Sequence, residues 1–182
     1  MGDVGLKRPQ LTRAKAGRFM FSLEIDTLAR LVIDDAREKS LRIVTAESCT
    51  GGLVAAAICA IPGASDVFER GFVTYTNRAK QELLSISGDL IADLGAVSEP
   101  IARMMAEGAV ENSHAHVSVA ITGVAGPGGG SPMKPVGTVH FATARANHSV
   151  QHRMELFELE TRWEIQMAAV QTALEMLRDR LR

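Results

Sequence analysis

The apolar positions of this chain follow two rhythms, one helical and one of strict alternation, with glycine and proline marking the breaks. Ile25, Leu28, Val32 and Ala36 recur at helical spacing and predict a helix over 23–39 with one buried face. Ser22 stands at its N-cap, and Glu24 and Asp26 lie in the first turn, where the helix dipole favours negative charge. "LRIVTA", 41–46, reads as a strand. A helix is expected from Thr50 to Ala60, stopped by Pro62 and Gly63. "GFVTYT", 71–76, reads as a second strand, and Asn77 is placed to cap the helix that carries Lys80. A short helix over 88–94 ends at Gly95, and Ser98-Glu99-Pro100 opens a longer one to about Asn112. Over 116–122, Val117, Val119 and Ile121 share one face while Ser118, Ala120 and Thr122 share the other. Residues 123–135 carry too many breakers to hold a helix. Strands are expected over 136–144 and 149–159, and a closing helix over 161–182.

The order of these elements predicts an α/β fold. Strands near residues 43, 73 and 119 are each separated from the next by a helix, so they run parallel through right-handed crossovers. The strand near residue 139 follows a loop without a helix and turns back antiparallel; the last strand reverses again. The expected object is a three-layer α/β/α domain over 22–182, with a mixed five-stranded sheet in which one strand is antiparallel. Residues 1–21 carry Lys7, Arg8, Arg13, Lys15 and Arg18 without apolar periodicity and are expected to form a disordered leader.

Composition narrows the field. Hydrophobic residues make up 46% of 182, charged residues 23%, and the formal net charge is −1. That is the balance of an ordinary globule, without the basic excess of proteins that bind nucleic acid or membrane surfaces. No apolar run is long enough to span a bilayer, and two cysteines do not make a disulfide framework. Reduced thiols in the cytoplasm are expected.

Candidate chemistry gathers at the strand ends. In open α/β sheets ligands bind beyond the carboxyl ends of the strands. Glu47 and Ser48 follow one such end, Tyr75 and Asn77 another, Thr122 and Gly123 a third. A serine needs a base to become a nucleophile, and no histidine falls at a strand end near Ser48. Lys80, near a helix start, is the candidate base; a helix N-terminus and burial both disfavour an ammonium. A solvated surface lysine is the plain alternative. Glu47 orients neighbouring groups or pairs with a lysine. Cys49 is either a thiol nucleophile or a small buried filler. The amides of Thr50, Gly51 and Gly52 begin a helix and are candidates to hold a phosphate or an oxyanion; a plain helix start explains them equally. Thr122 is expected to donate to substrate. "GPGGGSPMKP" lacks the pattern of a nucleotide P-loop and leads into a strand, so a lid over the site is expected, with Lys134 available to an anion. Ser131 and Lys134 formally spell S-x-x-K, but Pro132 and Pro135 oppose the helical turn that pattern needs. No metal-ligand spacing is present, and no metal or cofactor is expected.

The segments "TAESCTGG", "FERGFVTYTNRAK", "GAVSEPIARMMAEGA", "ITGVAGPGGGSPMKPVGTVHFA" and "TRWEIQMAAVQTALEML" together resemble the C-terminal CinA domain family, the nicotinamide-nucleotide amidase (PncC-like) group. They occur in the family's order over roughly 23–178. The resemblance implies a three-layer α/β/α domain and hydrolysis of the carboxamide of nicotinamide mononucleotide to nicotinic acid mononucleotide and ammonia. It implies Ser48 as nucleophile, Lys80 as its base and Arg162 as the functional arginine of the last helix. One position departs: many members carry a second arginine a turn later, where this chain has Gln166. Arg162 has a plainer role open to it, pairing with Glu158 or Glu160. The expected partner is a small-molecule nucleotide, and a homo-oligomer is expected. Two other functions stay open: a nucleotide-binding module without catalysis, and an interaction protein of competence or damage responses.

Overall fold

The computed structural model describes residues 20–182. The leader expected over 1–21 therefore lies almost wholly outside the described residues; Phe21 packs into the core. Five strands form one sheet in the order β2-β1-β3-β4-β5. They are β1 (Ile43–Glu47), β2 (Phe68–Val73), β3 (Val117–Gly123), β4 (Thr138–Arg145) and β5 (Gln151–Leu156). β1 pairs parallel with both β2 and β3; β4 is antiparallel to β3 and to β5. The six α-helices are α1 (Leu23–Glu38), α2 (Leu53–Cys59), α3 (Asn77–Leu84), α4 (Gly88–Leu94), α5 (Glu99–Glu111) and α6 (Arg162–Leu181). A three-layer α/β/α domain with one antiparallel strand is what the element order predicts.

Strand alternation divides the interior into two cores. Ile43, Val117, Val119, Ile121, Val139 and Phe141 face α1, α2 and α6. Val44, Ala46, Ala120, Ala142 and Ala144 face α5 and the turns around α3 and α4. The first side carries bulky strand residues; the second is rich in alanine. Burying each large side chain contributes about 1.5–3 kcal/mol. Ser118, on the alanine side, donates to Ala106 O of α5 at 2.6 Å, so its hydroxyl is satisfied without water.

Several boundaries differ from the sequence reading, and each shift moves a residue of the rim. β2 spans 68–73 rather than 71–76, because β1 pairs with it from Phe68 onward. Tyr75 and Thr76 consequently lie in the connection after the strand. Thr76, not Asn77, caps α3, its hydroxyl accepting from Ala79 N at 3.1 Å. α2 begins at Leu53 rather than Thr50; residues 49–52 form a turn ending on Gly52 in the left-handed region at φ 99°. That φ suits glycine because it has no Cβ to clash.

Candidate active site

The turn after β1 is held by a buried carboxylate. Glu47 is fully buried, and its two oxygens accept from the amides of Gly52 (3.0 Å), Val54 (3.0 Å) and Ala55 (2.8 Å). These are the otherwise unpaired N–H groups of the first turn of α2, and a carboxylate at a helix N-terminus also matches the dipole. Glu47 therefore fixes the start of α2 and is closed to a substrate. The same contacts correct two expectations for backbone donors. Gly52 N is occupied by Glu47, and Gly51 N donates to Ser48 O at 3.1 Å. Neither is open to an oxyanion. Thr50 is fully buried and does not line the cavity.

Ser48 follows directly. Its amide donates to Ile121 O of β3 at 2.9 Å, which ties the turn to the neighbouring strand. Its hydroxyl oxygen lies 3.0 Å from Lys80 Nζ. Lys80 is 1% exposed, and its Nζ also lies 2.7 Å from Thr74 O. Burial pushes the Lys80 amine down from 10.5 to about 8. A neutral amine donates one hydrogen to Thr74 O and offers its lone pair to the Ser48 proton. Lys80 is not a solvated surface residue, and Thr74, the second ligand of its amine, was missed. Nothing in the sequence marks a backbone carbonyl six positions earlier as a partner.

Burial pushes the Cys49 thiol up to about 12, so it stays protonated and is not a thiolate nucleophile. It is a small buried wall residue.

A cavity of about 290 Å³ opens onto these groups. Ser48, Cys49, Lys80, Tyr75, Asn77, Thr122, Gly123 and Arg162 all line it, together with Ala96, Val97 and the glycine-rich loop at Gly126, Gly128 and Gly129. No lining residue is acidic, while Lys80 and Arg162 are basic. Three parallel strand ends, two loops and the start of α6 thus meet at one rim.

Arg162 owes its position to a capping box. Thr161 Oγ1 accepts from Glu164 N at 3.2 Å, and Glu164 Oε2 accepts from Thr161 N at 2.9 Å. Arg162 is the first helical residue, and its guanidinium donates to Gly126 O (2.7 Å) and to Tyr75 OH (2.7 Å). It pairs with neither Glu158 nor Glu160 but joins the glycine-rich loop to the segment after β2. One turn on, Gln166 Nε2 donates to Cys49 O at 2.8 Å.

One further expectation is corrected, and one holds. Thr122 Oγ1 donates its one proton to Ala96 O at 2.8 Å, so it fastens the 95–98 turn instead of donating to a ligand. Ser131 and Lys134 close a tight turn through Lys134 N to Ser131 O (3.1 Å) and Ser131 N to Lys134 O (2.9 Å), not a helical turn, as the flanking prolines require. The rest of the loop does cover one side of the cavity. Among the described residues no group of His, Cys, Asp and Glu is placed to hold a metal ion, and no helix is long and apolar enough to cross a membrane.

Known proteins carry the same arrangement of chain. A CinA-like protein of Akkermansia muciniphila is 46% identical over 156 residues, 85% of this chain and 38% of that protein. One of Prochlorococcus marinus is 44% identical over 166 residues, 91% of this chain and 39% of that protein. The chain thus spans about two fifths of the length of these relatives. Solved structures match nearly end to end. The competence/damage inducible protein CihA of Agrobacterium tumefaciens superposes with a TM-score of 0.86 at 49% identity, covering 88% of this chain and 97% of that one. The competence damage-inducible protein A (ComA) of Klebsiella pneumoniae superposes with a TM-score of 0.82 at 32% identity, covering 86% and 96%. The family model of the CinA C-terminal domain matches residues 25–181. This chain belongs to the CinA C-terminal domain family.

Proposed function

We propose that this chain hydrolyses the carboxamide of nicotinamide mononucleotide to nicotinic acid mononucleotide and ammonia, with Ser48 as nucleophile and Lys80 as base. The observation that carries the reading is the 3.0 Å contact between Ser48 Oγ and a buried Lys80 Nζ at the floor of a cavity. The Arg162 guanidinium in the cavity wall and the absence of acidic lining favour an anionic ligand such as a nucleotide phosphate. Its volume of about 290 Å³ sits at the small end for ligand sites, in keeping with a mononucleotide.

The reaction follows from these groups. Neutral Lys80 takes the hydroxyl proton as Ser48 Oγ bonds to the carboxamide carbon, and the carbonyl π pair moves to oxygen. The carbonyl re-forms, the C–N bond breaks, and the leaving nitrogen takes the proton from Lys80 to depart as ammonia. Water then attacks the acyl-serine while Lys80 takes its proton. The second tetrahedral intermediate releases the acid, and the proton returns to Ser48 Oγ. Thr74 O holds Nζ in place through each transfer.

The test is ammonia release across a panel of pyridine nucleotides and their free amides. The mononucleotide is expected to be the preferred substrate. Ser48→Ala is expected to keep its circular dichroism spectrum and lose turnover. Ammonia release by that variant at the wild-type rate removes Ser48 from the scheme. Tight binding of the mononucleotide by the wild type without release replaces the enzyme with a binding module.

A further inference from the structure

The two outer edges of the sheet differ in how they meet further chain. β2, at one edge, carries an extra residue, Glu69, between the partners of Ile43 and Val44, and a glycine at position 71. A bulge and a strand glycine both disturb an edge as a template for pairing. β5, at the other edge, reads "QHRMEL". It holds no proline, glycine or lysine, and it pairs with β4 in unbroken register. Nothing in β5 blunts the edge.

The register shows which groups face outward. Phe157 N donates to Gly137 O at 3.0 Å. Antiparallel alternation then turns the N–H and C=O of Arg153 and Glu155 toward β4 as well. Those of His152, Met154 and Leu156 lie along the outer edge. On the α5 face of the sheet, Met154 and Leu156 stand opposite His140 and Thr138 and are 52% and 47% exposed. On the α6 face stand Arg153 and Glu155, 2.5 Å apart, with Arg153 also 3.8 Å from Glu175 of α6.

We propose that β5 is an association surface for a second copy of this chain, which adds its own β5 antiparallel about a twofold axis at Met154. Charge selects this register. With Met154 on the axis, Arg153 lies opposite the partner's Glu155, and Glu155 opposite the partner's Arg153. These are pairs without backbone hydrogen bonds, where side chains approach most closely. A shift of two residues sets Arg153 against itself or Glu155 against itself, and a shift of one mismatches the faces. The chosen register also pairs the outward amides and carbonyls of His152, Met154 and Leu156 with one another, and it brings the exposed Met154 and Leu156 side chains of the two copies together. The Ser48 cavity, two strands away at the end of β1 and β3, takes no part.

The experiment is sedimentation velocity on the 182-residue chain from about 1 to about 200 µM. A species of twice the 19.5 kDa chain mass is expected to grow in with concentration. Met154→Lys, Arg153→Glu and Glu155→Arg are each expected to raise the dissociation constant about tenfold or more, since each sets like charges across the axis. Mixing Arg153→Glu with Glu155→Arg is expected to restore the dimer, because one chain then brings two carboxylates and the other two guanidinium groups. A pair formed only within one chain gives no such recovery. Melting curves identify a misfolded variant, and if Met154→Lys is one, the two charge variants carry the test. A wild type that stays monomeric throughout overturns the proposal. So does a dimer that the three substitutions leave intact, or a mixture that stays monomeric.

Discussion

Lys80 Nζ and Ser48 Oγ lie 3.0 Å apart although 32 positions separate them in sequence. Parallel pairing of β1 with β2 creates the contact. It places the turn after Glu47 beside Thr74, and α3 then brings Lys80 back over the same strand end. Burial of that amine favours its neutral form, which is the form a base requires.

The rate should therefore follow the protonation of Lys80. With that amine at about 8, kcat/KM for the mononucleotide is expected to rise with pH and level off above an apparent value near 8. Lys80→Arg keeps the charge but cannot give up its proton at working pH, and a loss of about 10²–10⁴ in kcat is expected. A flat profile between about pH 6 and about pH 9, or full activity in Lys80→Arg, removes the base from the scheme.

The same amine has a signature in stability that needs no enzyme assay. Its folded value, about 8, is depressed from 10.5. Between those values the unfolded chain binds a proton there that the folded protein does not, so stability rises with pH across that window. Relative to Lys80→Met, the wild type is expected to gain about 2–3 kcal/mol between pH 8 and pH 10.5. Urea denaturation at several pH values measures it; parallel slopes for the two proteins would contradict the assignment.

Glu47 should be a structural residue. Glu47→Gln replaces one accepting oxygen with a donor that faces backbone N–H groups. A loss of about 2–4 kcal/mol is expected, lowering Tm by roughly 5–15 °C. Activity falls with it, because the turn carrying Ser48 ends on the amides that Glu47 holds. An unchanged Tm would show that the three contacts contribute nothing.

A second pH dependence belongs to the opposite side of the sheet's antiparallel half. His140 Nδ1 and His152 Nε2 are 3.0 Å apart, and His152 Nδ1 lies 3.5 Å from Glu99 Oε2. Burial pushes both imidazoles below 6.5; the mutual charge of the pair and Lys134 add to this at His140, while Arg103 adds at His152 and Glu99 opposes it at both. The folded protein thus holds these rings neutral. Stability from this source is full above about pH 6.5 and is lost as pH falls through the folded values. The double variant His140→Leu, His152→Gln is expected to flatten the acid limb of a urea-midpoint profile; an unchanged limb would count against the pair.

Local chemistry made much of this protein legible without coordinates. The spacing of Ile25, Leu28, Val32 and Ala36, the Ser22 cap and the alternation at 117–122 each act over a few residues, and each appears in the structure as read. The strand–helix–strand order sufficed for the sheet, because right-handed crossovers leave few other ways to cover both faces. It also brought Ser48, Tyr75, Thr122 and Lys80 to one rim. What no local pattern held was the use of each polar group once there. Glu47 is bound to α2, Thr122 to Ala96, Arg162 to Tyr75 and Gly126, and Gln166 to Cys49. A hydrogen bond between segments depends on distances of a few tenths of an ångström, set by the packing of whole layers. Periodicity along the chain carries no record of them, so tertiary structure alone decided which donors and acceptors were left open for chemistry.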